Sequence, residues 1–322
     1  MAMDKIKKYP SIPRPAKSRD LIEIEGQVGY ILEKLDGAHA SIQVNVEDLD
    51  IHAFSRNRKL SEKEGLRGFY QYVMSDFKKD MDRLGYAMRF RGLTFHGEWL
   101  VSHAVSYKED VLNKFYLYDI YDNINSRWLS LPEVLLYTSA MPSVQSTPLM
   151  GVFEYKNPDD FKIIHDEFSG KSYMTKEHED TNEDSGGEGV VLRFDNAAAT
   201  RIKVVSEKFS ETANYEVKKK TFDDPSARLI AQHLTDMRID KAIHKLFDEG
   251  HLPEVEFKNF ADIAKPVIEE VYADILKEEI DPIPEWFDEK VGKKTVNKKV
   301  PVRVRVFIEN FESLSLNNKV NN

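Results

Sequence analysis

The spacing of the apolar residues changes near Thr221, and this change limits the possible folds more than any other feature of the sequence. Before it, short apolar or alternating segments such as 28–32 and 40–46 are separated by turn residues, which is typical of β-strands. After it, apolar residues recur at helical spacing, as in Leu229, Ile230 and His233-Leu234. We therefore predict an α+β domain over residues 1–222 and a mostly α-helical domain over residues 223–322.

Within the first domain, the patterns predict antiparallel sheets with flanking helices. Predicted strands cover residues 28–32, 40–46, 51–54, 93–100, 114–121, 188–194 and 197–205, and predicted helices cover residues 64–81, 130–137 and 159–168. Residues 175–187 are acidic and end in two glycines, which predicts a loop. In the second domain, residues 301–308 alternate like a strand, and this pattern leaves strand and helix both open.

Composition narrows the functional class. The chain has 46 Lys and Arg against 55 Asp and Glu, a net charge of −9, so contact with a nucleic acid would need a local basic surface. The candidates are residues 56–59 and 201–220. The absence of cysteine excludes disulfides and thiolate metal sites. Without an apolar run of 18 residues or a secretory signal, we expect a cytoplasmic protein without membrane contact, and we expect a monomer.

Lys34 lies in the most suggestive short stretch, Glu33-Lys34-Leu35-Asp36-Gly37, which joins two predicted strands. The pattern predicts a hairpin-like turn with the lysine at its mouth, where an amine could meet a phosphate. Considered alone, such a turn more often carries a solvated surface lysine. The catalytic interpretation therefore depends on the rest of the chain.

Several cations follow Lys34 at predicted strand ends, namely Arg56, Arg201 and Lys203. A lysine attacks only as the neutral amine, and its ordinary pKa is about 10.4. Nearby cations and burial lower that pKa. The same cations would hold a triphosphate and stabilise charge on the transferring phosphorus.

Two carboxylates and two aromatic rings complete this set. Glu188 heads a predicted strand and could bind a divalent metal. Glu98 follows Gly97 and could accept hydrogen bonds from ribose hydroxyls. Tyr118 or Phe115 could stack on a base. Each of these residues also has an ordinary structural explanation, so the argument rests on their joint occurrence in this order.

That order resembles the covalent nucleotidyltransferase superfamily of polynucleotide ligases and mRNA capping enzymes, and most closely the phage RNA ligase 2-like family of ATP-dependent RNA ligases. The stretches that carry the resemblance are Lys34-Leu35-Asp36-Gly37-Ala38-His39, Phe54-Ser55-Arg56-Asn57, His96-Gly97-Glu98-Trp99, Phe115-Tyr116-Leu117-Tyr118-Asp119-Ile120, Glu188-Gly189-Val190-Val191-Leu192 and Ile202-Lys203-Val204-Val205-Ser206-Glu207-Lys208-Phe209-Ser210-Glu211. Together they span residues 30–211.

The resemblance implies an ATP-grasp-like nucleotidyltransferase domain and a ligase that works through a lysyl-AMP intermediate. It implies the cofactors ATP and Mg²⁺, with Mn²⁺ as a possible substitute. The implied partner is RNA, or a nicked duplex containing RNA, with 3′-hydroxyl and 5′-phosphate ends. The resemblance also implies that the helical domain over residues 223–322 acts as a clamp on the nucleic-acid duplex. The implied catalytic residues are Lys34, Arg56, Glu188 and Lys203, with Glu188 as metal ligand. The implied nucleotide-binding residues are Glu33, Asp36, Gly37, His39, Arg56, Glu98, Tyr118, Arg201 and Lys203.

The chain departs from the family pattern in its last motif. Members usually carry Lys-x-Lys, but here Lys203 is followed by Val205 in the second lysine position, unless Arg201 and Lys203 supply the pair. His39 stands where this branch commonly has asparagine. Two alternatives remain open, a DNA ligase of the same superfamily and a nucleic-acid-binding module without catalysis. A C-terminal five-stranded barrel would favour the DNA ligase.

Overall fold

The computed structural model describes residues 6–15, 21–84, 90–176, 186–209 and 224–320, with side chains up to Phe311 in the last helix. The chain forms two compact units, Met1–Phe209 and Ser210–Asn322. The predicted domain boundary at residues 222 and 223 lies outside the described residues and stays a prediction. Much of the predicted acidic loop and the basic stretch after Phe209 also lie outside them.

The first unit contains two sheets and confirms the predicted α+β class. Its strands are β1 (Val28–Glu33), β2 (Ala38–Val44), β3 (Ile51–Ser55), β4 (Leu93–Leu100), β5 (Lys114–Asp122), β6 (Arg127–Trp128), β7 (Val144–Ser146), β8 (Leu149–Glu154), β9 (Gly189–Phe194) and β10 (Arg201–Val205). Its helices are α1 (Phe69–Tyr72), α2 (Lys78–Arg83), α3 (Leu131–Ala140) and α4 (Asp159–Phe168). The helices α1 and α2 are joined by a π-helical turn, Val73–Phe77.

The smaller sheet has the strand order β10-β9-β1-β8, and all its pairs are antiparallel. One face of this sheet is apolar and packs on helix α4, where Ile31, Leu192 and Ile202 are buried with Phe161. Because side chains alternate along a strand, the neighbouring residues Leu32, Val191 and Lys203, which are in register, lie on the opposite face. That second face carries the polar groups of the candidate site.

The larger sheet has the order β3-β2-β4-β5-β6, and β7 adds to β5 as a parallel strand. Its apolar face packs against the α1–α2 segment and α3, with Ile42, Phe95 and Phe115 fully buried. Between His96 and Gly97 the register of β4 against β5 shifts. A side chain at Gly97 would meet the Phe115 ring and the Tyr116 carbonyl at 2.5 Å, so glycine is required there.

The segment that carries Lys34 crosses from one sheet to the other, which corrects the predicted hairpin-like turn. Strand β1 is paired on both edges, with β8 and with β9, so β2 has no free edge of β1 to join. Instead β2 lies in the larger sheet between β3 and β4. Lys34 therefore stands where the chain passes between the two sheets rather than at the tip of a hairpin.

The first helical segment begins at Phe69 rather than at residue 64. Leu66 and Arg67 have φ values of 49° and 52°, and Gly68 has a φ of 94°. These left-handed conformations cannot continue an α-helix. Leu66 still contributes to the core, which explains why its apolar side chain fits the helical pattern although its backbone is not helical.

The second unit is helical in its described part, which confirms the predicted class of that domain. Its helices are α5 (Pro225–His233), α6 (Asp236–Asp248), α7 (Phe260–Glu279) and α8 (Glu289–Val320). Asp224 caps α5 by accepting from the amides of Ser226 and Ala227, and the Thr235 side chain caps α6.

The undecided segment 301–308 is part of helix α8. Val300, Val304 and Ile308 are fully buried, whereas Val302 is 64% exposed. Burial every fourth residue places one face of a helix in the core, while a strand would bury every second residue. Among the described residues, no helix is both long and apolar enough to span a membrane.

Candidate active site

The Lys34 amine lies against the Glu188 carboxylate. The Nζ–Oε2 distance is 2.7 Å, and the side chains are 26% and 1% exposed. The Lys34 amide donates to the Gly189 carbonyl at 2.9 Å, which continues the pairing of β1 with β9 beyond the strand end. Neighbouring strands thus bring together two residues separated by 154 positions. The arrangement presents a partly exposed amine next to a buried base.

Lys203 lies on the same face of the smaller sheet as Lys34. Lys203 is in register with Val191 of β9, and Val191 is in register with Leu32 of β1. Leu32 lies two residues before Lys34, and residues two apart along a strand share a face. Strands β10 and β1 are two strand spacings apart, on the order of 10 Å. Val205 follows on this face in register with Gly189, whose carbonyl accepts from the Lys34 amide. The expected second motif lysine would therefore have stood in the same row as Lys34, two strand spacings away.

Glu98 reaches the same region from the larger sheet. Its Oε1 accepts from the Gly37 amide at 3.1 Å. Burial raises the pKa of Glu98 to about 7, with the Lys34 charge opposing and the Glu188 charge adding to the rise. These mutual charges mean that Glu98, Lys34 and Glu188 form one electrostatic group drawn from both sheets.

Asp36 ties its neighbourhood to the segment around residue 105. Its Oδ2 accepts from the amides of Ala104 and Val105 at 2.8 and 3.1 Å, and its own amide donates to the Tyr107 hydroxyl at 2.7 Å. The carboxylate is therefore occupied by backbone groups. Its predicted contact with the nucleotide stays a prediction.

Glu33 points to the other side of β1 from Lys34. Its carboxylate accepts from the Ser172 hydroxyl and from the Tyr173 amide. Burial raises the pKa of Glu33 to about 7, and these hydrogen bonds only partly offset the rise. The structure thus gives Glu33 a role in holding the segment after helix α4, while its predicted nucleotide contact stays untested.

A polar and aromatic cluster covers the face of the larger sheet beside Glu98. His39 Nδ1 lies 2.6 Å from the Tyr118 hydroxyl, and Ser41 Oγ lies 2.9 Å from His96 Nδ1. Burial lowers the pKa of His96 to about 3 and holds the pKa of His39 well below its ordinary value. Both imidazoles are therefore neutral near pH 7 and act as hydrogen-bonding groups rather than cations.

Arg56 is exposed at the end of β3. Its charge contributes to the lowered pKa of His39 and opposes the raised pKa of Tyr118, which places the guanidinium within electrostatic range of both. An exposed cation at the border of this cluster is available to an anionic ligand.

Arg201 is 7% exposed, and its side chain makes structural contacts within the fold. Its guanidinium donates to both Asp119 oxygens at 3.1 and 2.8 Å and to the carbonyls of Phe194 and Thr200. Arg193 adds a second ion pair to Asp119 at 2.8 Å. Asp119 belongs to the larger sheet and both arginines to the smaller sheet, so this buried charge cluster joins the two sheets. Of the two cations in the last motif, Arg201 is therefore held by Asp119, whereas Lys203 lies on the face of the smaller sheet that also carries Lys34.

Tyr9, Asp119 and Arg193 were not predicted as site residues, whereas Arg201 was predicted to bind the nucleotide. The Tyr9 hydroxyl donates to Asp119 at 2.6 Å, and its ring contacts His39, His96 and Tyr118 with centroid distances of 5.0–5.8 Å. The sequence did contain one usable signal. Asp119 interrupts an otherwise apolar strand, and a buried charge requires a partner.

The donor set around Glu188 was tested for a divalent cation. Within the described ranges, no group of three or more His, Asp or Glu side chains could hold a metal ion. A single buried carboxylate nevertheless suits Mg²⁺, which keeps several waters and commonly binds one or two carboxylates together with substrate phosphates. The described residues therefore fit a metal held largely by water and a ligand, and not a closed protein cage.

The chain was compared with known proteins. No curated protein matches it. Among solved structures, similar ones are those of Naegleria gruberi RNA ligase: an apo mutant at 20% identity and a mutant with ATP and Mn at 19% identity, both with a TM-score of 0.48 and covering 63% of this chain and 57% of that chain. The complex with pyrophosphate, at 20% identity, has a TM-score of 0.45 with the same coverage. The chain thus spans little more than half the length of these structures.

The match to a protein-family model is more extensive. The model described as RNA ligase covers residues 29–205, more than half of the chain. It includes Lys34, Glu98, Glu188 and Lys203, the residues that the fold gathers from both sheets. The chain therefore belongs to the RNA ligase family.

Proposed function

We propose that this protein is an ATP-dependent RNA ligase that joins a 3′-hydroxyl end to a 5′-phosphate end, at nicks in a duplex, through a covalent lysyl-AMP intermediate. The observation that carries the proposal is the Lys34–Glu188 contact at 2.7 Å, next to Glu98. A partly exposed amine beside a buried carboxylate, in a domain matched by the RNA ligase model, is what a lysine nucleophile requires.

In the first step, the Lys34 nitrogen attacks the α-phosphorus of ATP. A P–N bond forms, the P–O bond to the β-phosphate breaks, and pyrophosphate leaves. Because an ammonium has no free electron pair, Nζ must first give up a proton, and Glu188 Oε2 is the nearest acceptor. Lys203 on the same sheet face would offset the negative charge that develops at the α-phosphate.

In the second step, an oxygen of the RNA 5′-phosphate attacks the AMP phosphorus. The P–N bond to Lys34 breaks, and a 5′-5′ pyrophosphate linkage forms. In the third step, the 3′-hydroxyl gives up its proton and its oxygen attacks the RNA phosphorus. A phosphodiester forms, the P–O bond between the RNA phosphorus and AMP breaks, and AMP leaves. Holding the two ends in line supplies much of the rate, since positioning converts a bimolecular step into an intramolecular one.

Glu188 would hold the divalent cation, Mg²⁺ or Mn²⁺, through its buried carboxylate. When bound, the cation would supply Lewis-acid stabilisation of phosphate oxygens. The Glu98 carboxylate would accept from the ribose hydroxyls. Arg56 would contact a phosphate at the edge of the site, and the His39–Tyr118 pair would line the base. The helical second unit supports this assignment over a ligase with a C-terminal five-stranded barrel.

Covalent labelling tests the proposal. The protein is incubated with α-labelled ATP and Mg²⁺, and the labelled product is expected to be stable in alkali and cleaved in acid, as a phosphoramidate is. Lys34→Ala should abolish the label, whereas Lys156→Ala, at an exposed lysine of the same unit, should retain it. Labelling of Lys34→Ala, or no label on the wild type, would contradict the proposal.

The substrate is tested separately with two nicked duplexes, one carrying an RNA 3′-hydroxyl strand and one made entirely of DNA. The proposal expects faster sealing of the nick that contains RNA. Efficient sealing of the DNA nick alone would instead identify a DNA ligase, and a protein that binds RNA without labelling would be a binding module.

A further inference from the structure

Four polar side chains of the larger sheet are connected by hydrogen bonds, and we call them the histidine network: Tyr118, His39, Ser41 and His96. His39 Nδ1 lies 2.6 Å from the Tyr118 hydroxyl, and His39 Nε2 lies 3.3 Å from Ser41 Oγ. Ser41 Oγ in turn lies 2.9 Å from His96 Nδ1. We propose that His96 is a positioning residue that acts through Ser41 and keeps the proton of His39 on Nδ1. With the proton there, the Tyr118 hydroxyl is free to donate to a ring nitrogen of the adenine of ATP. The proposal rests on the proposed function and adds to it a group that selects the base.

A β-bulge directs Tyr118 into the histidine network. The register of β5 against β4 skips Tyr118, which lies between Leu117 and Asp119. Leu117 and Ile120 are both buried in the core, so Tyr118 and Asp119 both lie on the opposite, polar face of the sheet. Bulges commonly redirect a side chain next to a functional site. The fold thus places the Tyr118 hydroxyl within hydrogen-bond distance of His39 by a specific irregularity of the strand.

The histidine network has a closed end and an open end. At the closed end, His96 is fully buried, and the rings of Tyr9 and Trp128 lie against it with centroid distances of 5.3 and 5.4 Å. At the open end, Tyr118 is partly exposed. A ligand can therefore contact the network at Tyr118, whereas His96 can act on that ligand only through the groups between them.

The protons of the histidine network can be arranged in only two ways. Both imidazoles are neutral near pH 7, because burial lowers the pKa of His96 to about 3 and holds the pKa of His39 well below its ordinary value. A neutral imidazole donates from one nitrogen and accepts at the other. If all the hydrogen bonds form, every group donates either toward Tyr118 or toward His96.

The closed end favours donation toward Tyr118. Within the part of the chain that the structure describes, His96 Nε2 has no hydrogen-bond partner. Donation toward His96 would require a proton on that nitrogen and would leave a buried N–H unpaired. Such groups are rarer in proteins than acceptors that lack a full set of hydrogen bonds. In the favoured arrangement, His96 Nδ1 donates to Ser41, and the Ser41 hydroxyl donates to His39 Nε2. The His39 proton then resides on Nδ1 and is donated to the Tyr118 oxygen.

A tyrosine that accepts from His39 keeps its own proton for another acceptor. Among the described residues, the Tyr118 hydroxyl makes one hydrogen bond, and its partner is His39. The proposed function places the base at this pair of side chains, and adenine offers ring nitrogens with lone pairs at N1, N3 and N7. A site built to hydrogen-bond one group of a substrate rejects an analogue that lacks this group. Tyr118 is therefore expected to recognise one of these three nitrogens.

Nuclear magnetic resonance of the full chain labelled with nitrogen-15 tests the role of His96 without any nucleotide. Long-range proton–nitrogen spectra distinguish a proton on Nδ1 from one on Nε2, and the spectrum of His39→Asn assigns the His39 signals. We expect His39 to carry its proton on Nδ1 in the wild type and to lose this preference in His96→Phe and in Ser41→Ala. A wild-type His39 with its proton on Nε2 would overturn the inference, as would an unchanged His39 tautomer in both folded variants.

Covalent labelling tests the consequence for the nucleotide. The probes are ATP and its 1-deaza, 3-deaza and 7-deaza analogues, each of which lacks one ring nitrogen. For the wild type, we expect one analogue to have a KM higher by about three- to tenfold, the effect of losing one neutral hydrogen bond, with kcat unchanged. Tyr118→Phe and Ser41→Ala should use that analogue and ATP alike. Equal use of all probes by the wild type would overturn the inference, as would retained discrimination in Tyr118→Phe.

The matched control is His165→Phe, which changes a partly exposed histidine of α4. It should leave both the His39 tautomer and the discrimination between the probes unchanged, and an equal effect in this control would overturn the assignment to His96. Circular dichroism verifies that each variant is folded. If ATP does not label wild-type Lys34, the proposed function fails, and the His39 tautomer still decides whether His96 positions His39.

Discussion

The buried charge cluster that joins the two sheets offers the most demanding test of this structure. Asp119 is 2% exposed, accepts hydrogen bonds from Tyr9 and Arg201 at 2.6–3.1 Å, and forms an ion pair with Arg193 at 2.8 Å. Although burial would raise it, the two guanidinium charges hold the pKa of Asp119 below its usual value. Asp119→Asn keeps the shape of the side chain and removes its charge. The substitution thereby leaves two guanidinium groups in a buried site, with Asp195 as their remaining acidic partner among the residues that the structure describes.

The expected cost follows from the burial. Removing one member of a buried ion pair costs about 3–5 kcal/mol, because the remaining charge is left uncompensated. Asp195 is 19% exposed and pairs with one of the two arginines at 2.8 Å, so Asp195→Asn should cost less, about 1–2 kcal/mol. Asp110→Asn, at an exposed carboxylate, should change the free energy of unfolding by under about 0.5 kcal/mol.

Unfolding in urea, followed by tryptophan fluorescence, measures these differences. The chain has three tryptophans, and Trp99 and Trp128 lie in the first unit. A Trp286→Phe background therefore makes the signal report on that unit alone, which matters because a chain of two units need not unfold in one step.

The pH dependence provides a second check on the same cluster. A carboxyl whose pKa is lowered in the folded state stabilises the fold above its unfolded pKa, about 3.9, and loses that contribution as pH falls through the folded pKa. The difference between wild type and Asp119→Asn should thus be complete at neutral pH and shrink below about pH 4. A loss under about 1 kcal/mol at pH 7 would refute the view that Asp119 holds the two sheets together.

Three further outcomes are expected. Glu33→Gln should remove a pH dependence, because a carboxyl pKa raised from 4.5 to about 7 makes the folded state less stable as pH rises across that interval; equal slopes for both proteins would contradict this. Gly97→Ala should lower the melting temperature of the first unit, since the added methyl group would meet the Phe115 ring at 2.5 Å, and an unchanged melting temperature would show that the neighbours can move. Asp36→Ala should cost about 1.5–3 kcal/mol in urea unfolding, since it removes two hydrogen bonds from backbone amides to a carboxylate, one of them from Val105; a loss as small as that of an exposed aspartate would exclude the proposed anchor.

Local pattern was sufficient for most elements of the fold. Strand β5 and strand β9 are dense in apolar and β-branched residues, and helix α3 begins with a capping box between Ser130 and Glu133. Strand β8 was missed. Its residues Leu149 and Val152 are 44% and 57% exposed, so it shows little apolar alternation, and it is held as a strand by its pairing with β1.

The sequence by itself determined the nature of the candidate site. It placed Lys34 and Glu188 next to strand ends and Glu98 and Lys203 within strands, in an order that the family model later matched over residues 29–205. Short-range preferences were enough for that, because each residue only had to stand in or next to a strand whose pattern is local.

Only the tertiary structure decided which of these groups meet. Arg201 and Lys203 share a strand face and look equivalent in sequence, yet Arg201 forms hydrogen bonds with Asp119, which is 82 positions away in the chain. Lys34 seemed to stand at a hairpin, but both edges of β1 are occupied by distant strands, so the chain carries it between the sheets instead. The physical reason is the same in both cases. Hydrogen bonds and ion pairs between distant segments form only once the sheets assemble, and no local preference records them.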